Sequence, residues 1–228
     1  QTMNQKADLH YGADRSGVIW AFLFGRQAQA IPIDSQQAAE WLMQRPSGEF
    51  IWLHLNLSHA SAEKWLREHV RVADEFHEAL HDGSRSTRIE LADDSLIAVL
   101  NDVLHSFSLD SADIATLWLS VTRQVVVTAR RTPLKSIERL RQAVANGAAI
   151  QSSVELLVHL LHDQGDVLVR IVREAGVRVD TAEDNLLAGR LEHQRSNLGT
   201  LRRILVRLQR LLAPEPAALF RLLQRPPH

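Results

Sequence analysis

The sequence predicts an α/β protein: an α/β/α layered domain with a mixed sheet, followed by a long antiparallel helical hairpin. Three observations carry this. Runs rich in β-branched and aromatic residues, bounded by turn formers, dominate the first part of the chain. Helical stretches with their own start and stop signals are interleaved with them, as a layered domain requires. From Ser153 to Leu212 the apolar residues recur at steps of three and four, the signature of long helical seams.

Taken in order, residues 1–16 are polar and patternless and read as a flexible N-terminal arm. Val18 to Phe24 is an apolar run between Gly17 and Gly25, and Ala30 to Ile33 resumes it across a turn, so the two predict paired strands. Asp34 or Ser35 can cap a helix through Met43, stopped near Pro46 and Gly48. Phe50 to Asn56 reads as a buried strand. Ser58 or Ser61 caps a helix carrying Trp65 and Leu66, and Asp74 caps a short one through Leu80. Arg88–Leu91 with Ser95–Leu104, then Leu117–Thr122 with Val125–Ala129, predict two hairpins. Pro133 opens a helix to Asn146, with Gly147 past its end.

The α/β domain is therefore expected over 17–150 and the hairpin over 151–228. On the hairpin's first arm the predicted seam is Val154, Leu157, Leu161, Leu168, Ile171, Ala175, Val179, Ala182 and Leu186, with one polar slot at Gln164. On the second it is Leu191, Leu198, Leu201, Leu205, Leu208 and Leu212, and Ala188, Gly189 and Arg190 supply the break. The first arm is mainly acidic and the second rich in arginine, so an antiparallel pairing sets opposite signs side by side. Exposed pairs of this kind contribute only about 0.2–1 kcal/mol each, whereas a buried Leu or Val contributes roughly 1.5–3. Apolar burial is the expected source of stability.

Composition narrows the function. A formal net charge of -1 over 228 residues, with no strongly basic part outside the second arm, argues against a nucleic-acid partner. The chain has no cysteine, so disulfides, thiolate metal sites and a cysteine nucleophile are excluded, and any metal must use His, Asp, Glu or backbone oxygen. No run approaches the roughly 18 apolar residues of a membrane span. Neither a phosphate-binding glycine loop nor a Gly-x-Ser-x-Gly elbow is present, and an enzyme is not expected.

The main chemical candidate is His159, His162, Asp163 and Asp166, at i, i+3, i+4 and i+7 on one helical face. Two imidazoles and two carboxylates are a donor set for a divalent cation; the competing reading is a solvated polar face flanking the hairpin. His77 and His81 are also spaced i, i+4, beside Glu78 and Asp82, on a shorter helix. His54 alternates with Trp52 and Asn56 on a strand and is expected to be a hydrogen-bonded sheet residue, not a ligand.

The order and spacing of several segments resemble the cytosolic domain of the CorA superfamily of metal-ion channels and transporters, most closely its ZntB zinc-transport branch. The residues that carry the resemblance are Trp52-Leu53-His54-Leu55-Asn56, Ser86-Thr87-Arg88, and Val125-Val126-Val127-Thr128-Ala129-Arg130. Glu183-Asp184-Asn185-Leu186-Leu187, Leu212-Ala213-Pro214, Leu219 and Leu222-Leu223 follow. The resemblance implies an α/β/α domain in a homopentameric funnel, facing the cytoplasm of a bacterial inner membrane. A stalk helix, two membrane helices per subunit and the Gly-Met-Asn-type pore loop would lie beyond Pro226-Pro227-His228. On this reading no cofactor is required, and a divalent cation, zinc above all, is the transported ion. The partners are further copies of the chain, the metal ion and, through the helices beyond this chain, the membrane. The zinc branch tends to place acidic residues where His159, His162 and Asp166 stand, which keeps a cation-attracting role open for that face. The alternative class is a soluble helical-hairpin scaffold or metal-sensing interaction protein. A His/Asp metal-dependent hydrolase is a third reading and would need metal-dependent turnover of an ester or phosphate.

Overall fold

Burial on both faces marks the two strands at the centre of the sheet. In the computed structural model, which describes residues 12–25, 29–82, 87–105, 114–189 and 194–212, these are β3 (Phe50–Asn56) and β7 (Val125–Arg130). They pair in parallel, with His54 opposite Thr128 and Asn56 opposite Arg130. Strands buried on both sides read as continuous apolar runs, as both of these do. Antiparallel strands complete the sheet outward from this pair. On one side lie β1 (Val18–Phe24) and β2 (Ile31–Ile33); on the other lie β6 (Ile114–Val121), β5 (Ser95–Val103) and β4 (Arg88–Ala92). The order is β2-β1-β3-β7-β6-β5-β4, a mixed sheet as predicted.

Side-chain alternation divides the core into two layers. Ile51, Leu53, Leu55, Val127 and Ala129 point to one face, where α1 (Ser35–Gln44), α2 (Ala62–His69) and α3 (Asp74–His81) cover them with Trp41, Trp65, Leu66 and Phe76. Trp52, Leu119 and Val126 point to the other face, against Ile137, Leu140 and Val144 of α4 (Lys135–Ala145) and Leu156 and Leu160 of α5 (Ser153–Leu187). Gly17, at φ +88°, lets the start of β1 pass α2, because a Cβ there would stand 2.6 Å from that of Ala62.

The helix starts follow local chemistry with some shifts. Asp34 caps α1 in a full capping box with Gln37. Ser61 stands at the start of α2 without a side-chain cap bond, and Asp74 is the first residue of α3 after Ala73. The helix expected from Pro133 begins two residues later, at Lys135. Its N-cap, Leu134, has no side-chain acceptor, and the sheet supplies one. Asp102 on β5 accepts from the Ser136 N–H at 2.9 Å and the Ser136 hydroxyl at 2.7 Å, and also from the Val103 N–H. Burial outweighs these bonds and pushes its carboxyl above the usual aspartate range.

The predicted seam of the hairpin is partly displaced. Leu168, Ile171 and Ala175 are buried as expected, but Val154 and Leu186 are exposed, and Leu156, Leu160 and Val167 take the core positions. The reason is that α5 serves two partners. Its first turns lie on the sheet and α4; after Gln164 it packs instead on Val103 and on Ile204 and Leu208 of α6 (Gln194–Leu212). Gln164 marks the change, donating to the backbone oxygen of Asn101 at 2.7 Å. On α6 the buried row is Ile204 and Leu208, while Leu198 and Leu205 of the predicted seam face outward. Residues 1–11 of the expected arm, Ser86, the turn at Arg190 to Glu192 and residues 213–228 lie outside the described residues.

His54 is fully buried beside Thr128, whose hydroxyl donates to the Leu53 oxygen at 3.2 Å and accepts from the Trp52 indole at 2.9 Å. With that hydrogen used, the ring must donate through Nδ1 at 2.7 Å, and its Nε2 is left without a partner among the described residues. The ring stacks on Trp20 with centroids 4.0 Å apart. Burial first, and the Arg130 charge second, hold its pKa well below the model-peptide value of 6.5, so it is neutral in the fold.

Two predictions follow from these buried polar groups. Asp102→Ala should cost about 2–3 kcal/mol in urea unfolding, with Asp102→Asn intermediate, because three buried donors lose their acceptor. A loss below about 0.5 kcal/mol would remove Asp102 as the cap of α4. His54 binds a proton only after unfolding, so stability should fall as pH drops below 6.5, by about 1.4 kcal/mol per unit from this group. Urea titrations between about pH 7 and pH 5 should show a correspondingly shallower dependence in His54→Gln.

Candidate functional site

The face that carries His159, His162, Asp163 and Asp166 lies on α5 before and just after the point where it leaves the sheet. Helical spacing brings all four to one side, next to α4. His159, His162 and Asp166 are exposed and Asp163 is half-buried. Arg139 of α4 reaches across, its Nη2 3.6 Å from Asp163 Oδ1 and 4.0 Å from Asp166 Oδ2. Its Nη1 is buried with no hydrogen-bond partner among the described residues.

Loss of water contact pushes the Asp163 carboxyl upward; Arg139 opposes the shift, Asp166 adds to it, and His159 and His162 oppose it weakly. Chemically the arrangement is two carboxylates partly neutralised by one guanidinium, with two imidazoles at the edge. It attracts cations, but a metal ion that used both carboxylates would have to displace Arg139. Among the described residues no three His, Asp or Glu side chains are gathered closely enough to hold a metal ion as they stand.

The second pair, His77 and His81, sits on α3 facing α2. His81 Nε2 lies 3.1 Å from Glu63 Oε2, which ties the two helices. Partial burial, and next the nearby Arg67 charge, hold the His77 ring below the usual imidazole range. Glu78 and Asp82 are exposed, and Asp82 meets Arg88 at 3.0 Å. Arg139 and Glu63, which decide what each histidine and carboxylate group can do, were not singled out from the sequence. Each belongs to a neighbouring helix, and no spacing rule links it to the motif it touches. His54 is the core residue that the strand pattern predicts, bonded to Thr128.

Among the described residues no helix is long and apolar enough to cross a membrane. The central sheet also joins two of the sequence stretches that carried the resemblance: Trp52 to Asn56 and Val125 to Arg130 are the parallel β3–β7 pair.

Known proteins share this architecture. The full-length CmaX structure superposes with a TM-score of 0.75 at 22% identity, over 90% of this chain and 63% of that one. The ZntB cytoplasmic domain of Vibrio parahaemolyticus does so with a TM-score of 0.72 at 16% identity, over 93% and 82%. The soluble domain of CorA from Methanocaldococcus jannaschii gives 0.66 at 20% identity, over 90% and 79%. At these identities the likenesses establish the α/β/α fold with its long helix. In sequence, the divalent cation transporter CmaX of Pseudomonas aeruginosa is 23% identical over 204 residues, 89% of this chain and 61% of that protein. The zinc transport protein ZntB of Pectobacterium carotovorum subsp. carotovorum is 20% identical over 200 residues, 88% of this chain and 59% of that protein. The chain thus spans about three-fifths of the length of these curated relatives. The family described as CorA-like Mg2+ transporter protein matches residues 47–228, most of the chain, and the protein belongs to that family.

Proposed function

We propose that this chain is the cytosolic portion of a divalent metal-ion transporter of a bacterial inner membrane, with zinc as the ion carried. The observation that carries the reading is the family match over residues 47–228 on a fold shared with the ZntB cytoplasmic domain. Zinc is favoured by the relatives named as zinc transport proteins and by imidazoles on the candidate face, which suit zinc better than magnesium. The α/β part over 17–150 and the hairpin over 151–228 form the wall of a vestibule in a homopentamer. The protein moves ions and transforms no substrate.

Asp163, Asp166, His159 and His162 supply the cation-attracting wall, raising the local ion concentration before the pore. His77 and His81 are a weaker second position on the same principle. Arg139 makes the first position responsive. With no cation it bridges α4 to α5; a cation on Asp163 and Asp166 replaces it and loosens that bridge. Ion occupancy is thereby coupled to the setting of the long helix.

Isothermal titration of the chain with zinc chloride tests this directly. Heat of binding should fall in His159→Ala with His162→Ala, and apparent affinity should rise about two- to fivefold in Arg139→Gln, where the competing charge is gone. Absence of heat in the native chain, or the same heat in the double histidine variant, would discard the position on α5.

A further inference from the structure

The α4 helix ends on Asn146-Gly147, the one place in the chain where glycine follows asparagine. The helix end itself demands this glycine. Gly147 stands at φ +90°, a left-handed conformation that side chains disfavour, and a Cβ there would meet Gln29 Nε2 at 3.2 Å. Asn146 is the exposed C-cap residue, set between Val144 and Ile150, which are both buried in the same core layer.

Asparagine followed by glycine is prone to cyclise, because no Cβ on the next residue hinders the approach of its backbone nitrogen to the side-chain amide carbon. A bond forms from the Gly147 nitrogen to Asn146 Cγ, the Cγ–Nδ2 bond breaks, and Nδ2 leaves as ammonia with the proton of the glycine amide. Water then opens the succinimide at either carbonyl and leaves aspartate or isoaspartate. The fold withholds what this reaction needs. The Gly147 N–H donates to the Val144 oxygen at 3.0 Å, and the Ala148 N–H to the Ala143 oxygen at 3.0 Å. At ψ +8° the Gly147 nitrogen nearly eclipses the Asn146 nitrogen about Cα–C, so Cβ is turned away from it and a five-membered ring cannot close. Opening of the last turn releases the nitrogen and the torsion together.

We propose that Asn146 is a deamidation site of this chain, consuming water and releasing ammonia, and that the hydrogen-bonded end of α4 gates its conversion. The product does not restore the old helix end. A carboxylate then stands at the negative pole of the helix, and isoaspartate adds a backbone carbon that puts the Gly147 and Ala148 donors out of register with their acceptors. Loss of ammonia makes the change one-way, so it loosens the link from α4 to α5 cumulatively as the protein ages. The inference is independent of the transport reading.

The native chain is incubated in mildly alkaline buffer, both folded and held unfolded in guanidinium chloride. The tryptic peptide from Gln142 to Arg170 is followed by mass for the change of amide to acid, beside the peptides holding Asn56, Asn101 and Asn185. Asp82-Gly83 can isomerise but has no amide to lose, so mass does not register it. Asn146 should convert in both samples, roughly tenfold or more slowly in the folded chain. Ala148→Pro removes a gating donor and leaves Asn146-Gly147 intact, and should bring the folded rate toward the unfolded one. Freshly prepared Asn146→Asp should show a folding constant about two- to fivefold lower. Equal rates in the folded and unfolded native chain would overturn the gate whether or not Ala148→Pro folds, as would a folded Ala148→Pro that converts no faster. Unchanged mass at Asn146 in the unfolded chain, or faster conversion of another asparagine in the folded one, would overturn the site.

Discussion

One continuous helix has to satisfy two unlike partners, and much of the molecule's organisation follows from that constraint. The 35 residues of α5 extend about 50 Å, far past the sheet on which the helix begins. Over its first turns the buried row is Leu156 and Leu160, set against Trp52, Leu119 and Leu140. Beyond Gln164 the row continues as Val167, Ile171 and Ala175, but now the partner is α6. A polar residue at the changeover is not a defect, because its amide finds a backbone acceptor on β5.

The sheet makes that overhang possible. The β3–β7 pair is covered on both faces, so a second layer of helices must exist, and α4 and α5 are that layer. Asp102 binds the start of α4 to β5, and Arg139 then binds α4 to α5. These polar ties run in series from sheet to long helix. A displacement at the carboxylate pair therefore acts on an element whose other end is held firmly. Buried Leu and Val side chains supply the stability of the layer, and the polar contacts set where its parts sit.

The candidate face has an electrostatic character distinct from a formed chelate. Its carboxylates already have a cation, supplied by the chain itself, and its imidazoles stand in solvent. On the proposed reading such a face would concentrate ions and exchange them, which would suit passage better than retention. Tight sites differ in that several donors converge with their own hydrogen-bonded supports. The α2–α3 pair is similar in kind: Glu63 meets His81, and one helix is fastened to another.

Local chemistry made most of the elements legible in the sequence. Val18 to Phe24 and Phe50 to Asn56 announced strands by their composition, Asp34 or Ser35 announced the start of a helix, and Gly189 a helix end, where the structure has φ +72°. His54 could be placed in the sheet because alternation with period two is a property of the strand alone. The four residues of the candidate face could likewise be grouped from spacing, since i, i+3, i+4 and i+7 share a side of any α-helix. What sequence could not decide was the neighbour each face would meet. Periodicity defines a stripe on α5 but carries no information about whether sheet, α4 or α6 lies against it. The predicted seam therefore placed Val154 and Leu205 inward where the fold turns them out. Arg139 beside Asp163, Glu63 beside His81 and Asp102 beneath α4 exist only after distant segments pack. Local steric and hydrogen-bonding preferences act within a few residues and are written into the chain; contacts across layers depend on how the whole core fills its volume, which only the tertiary structure decides.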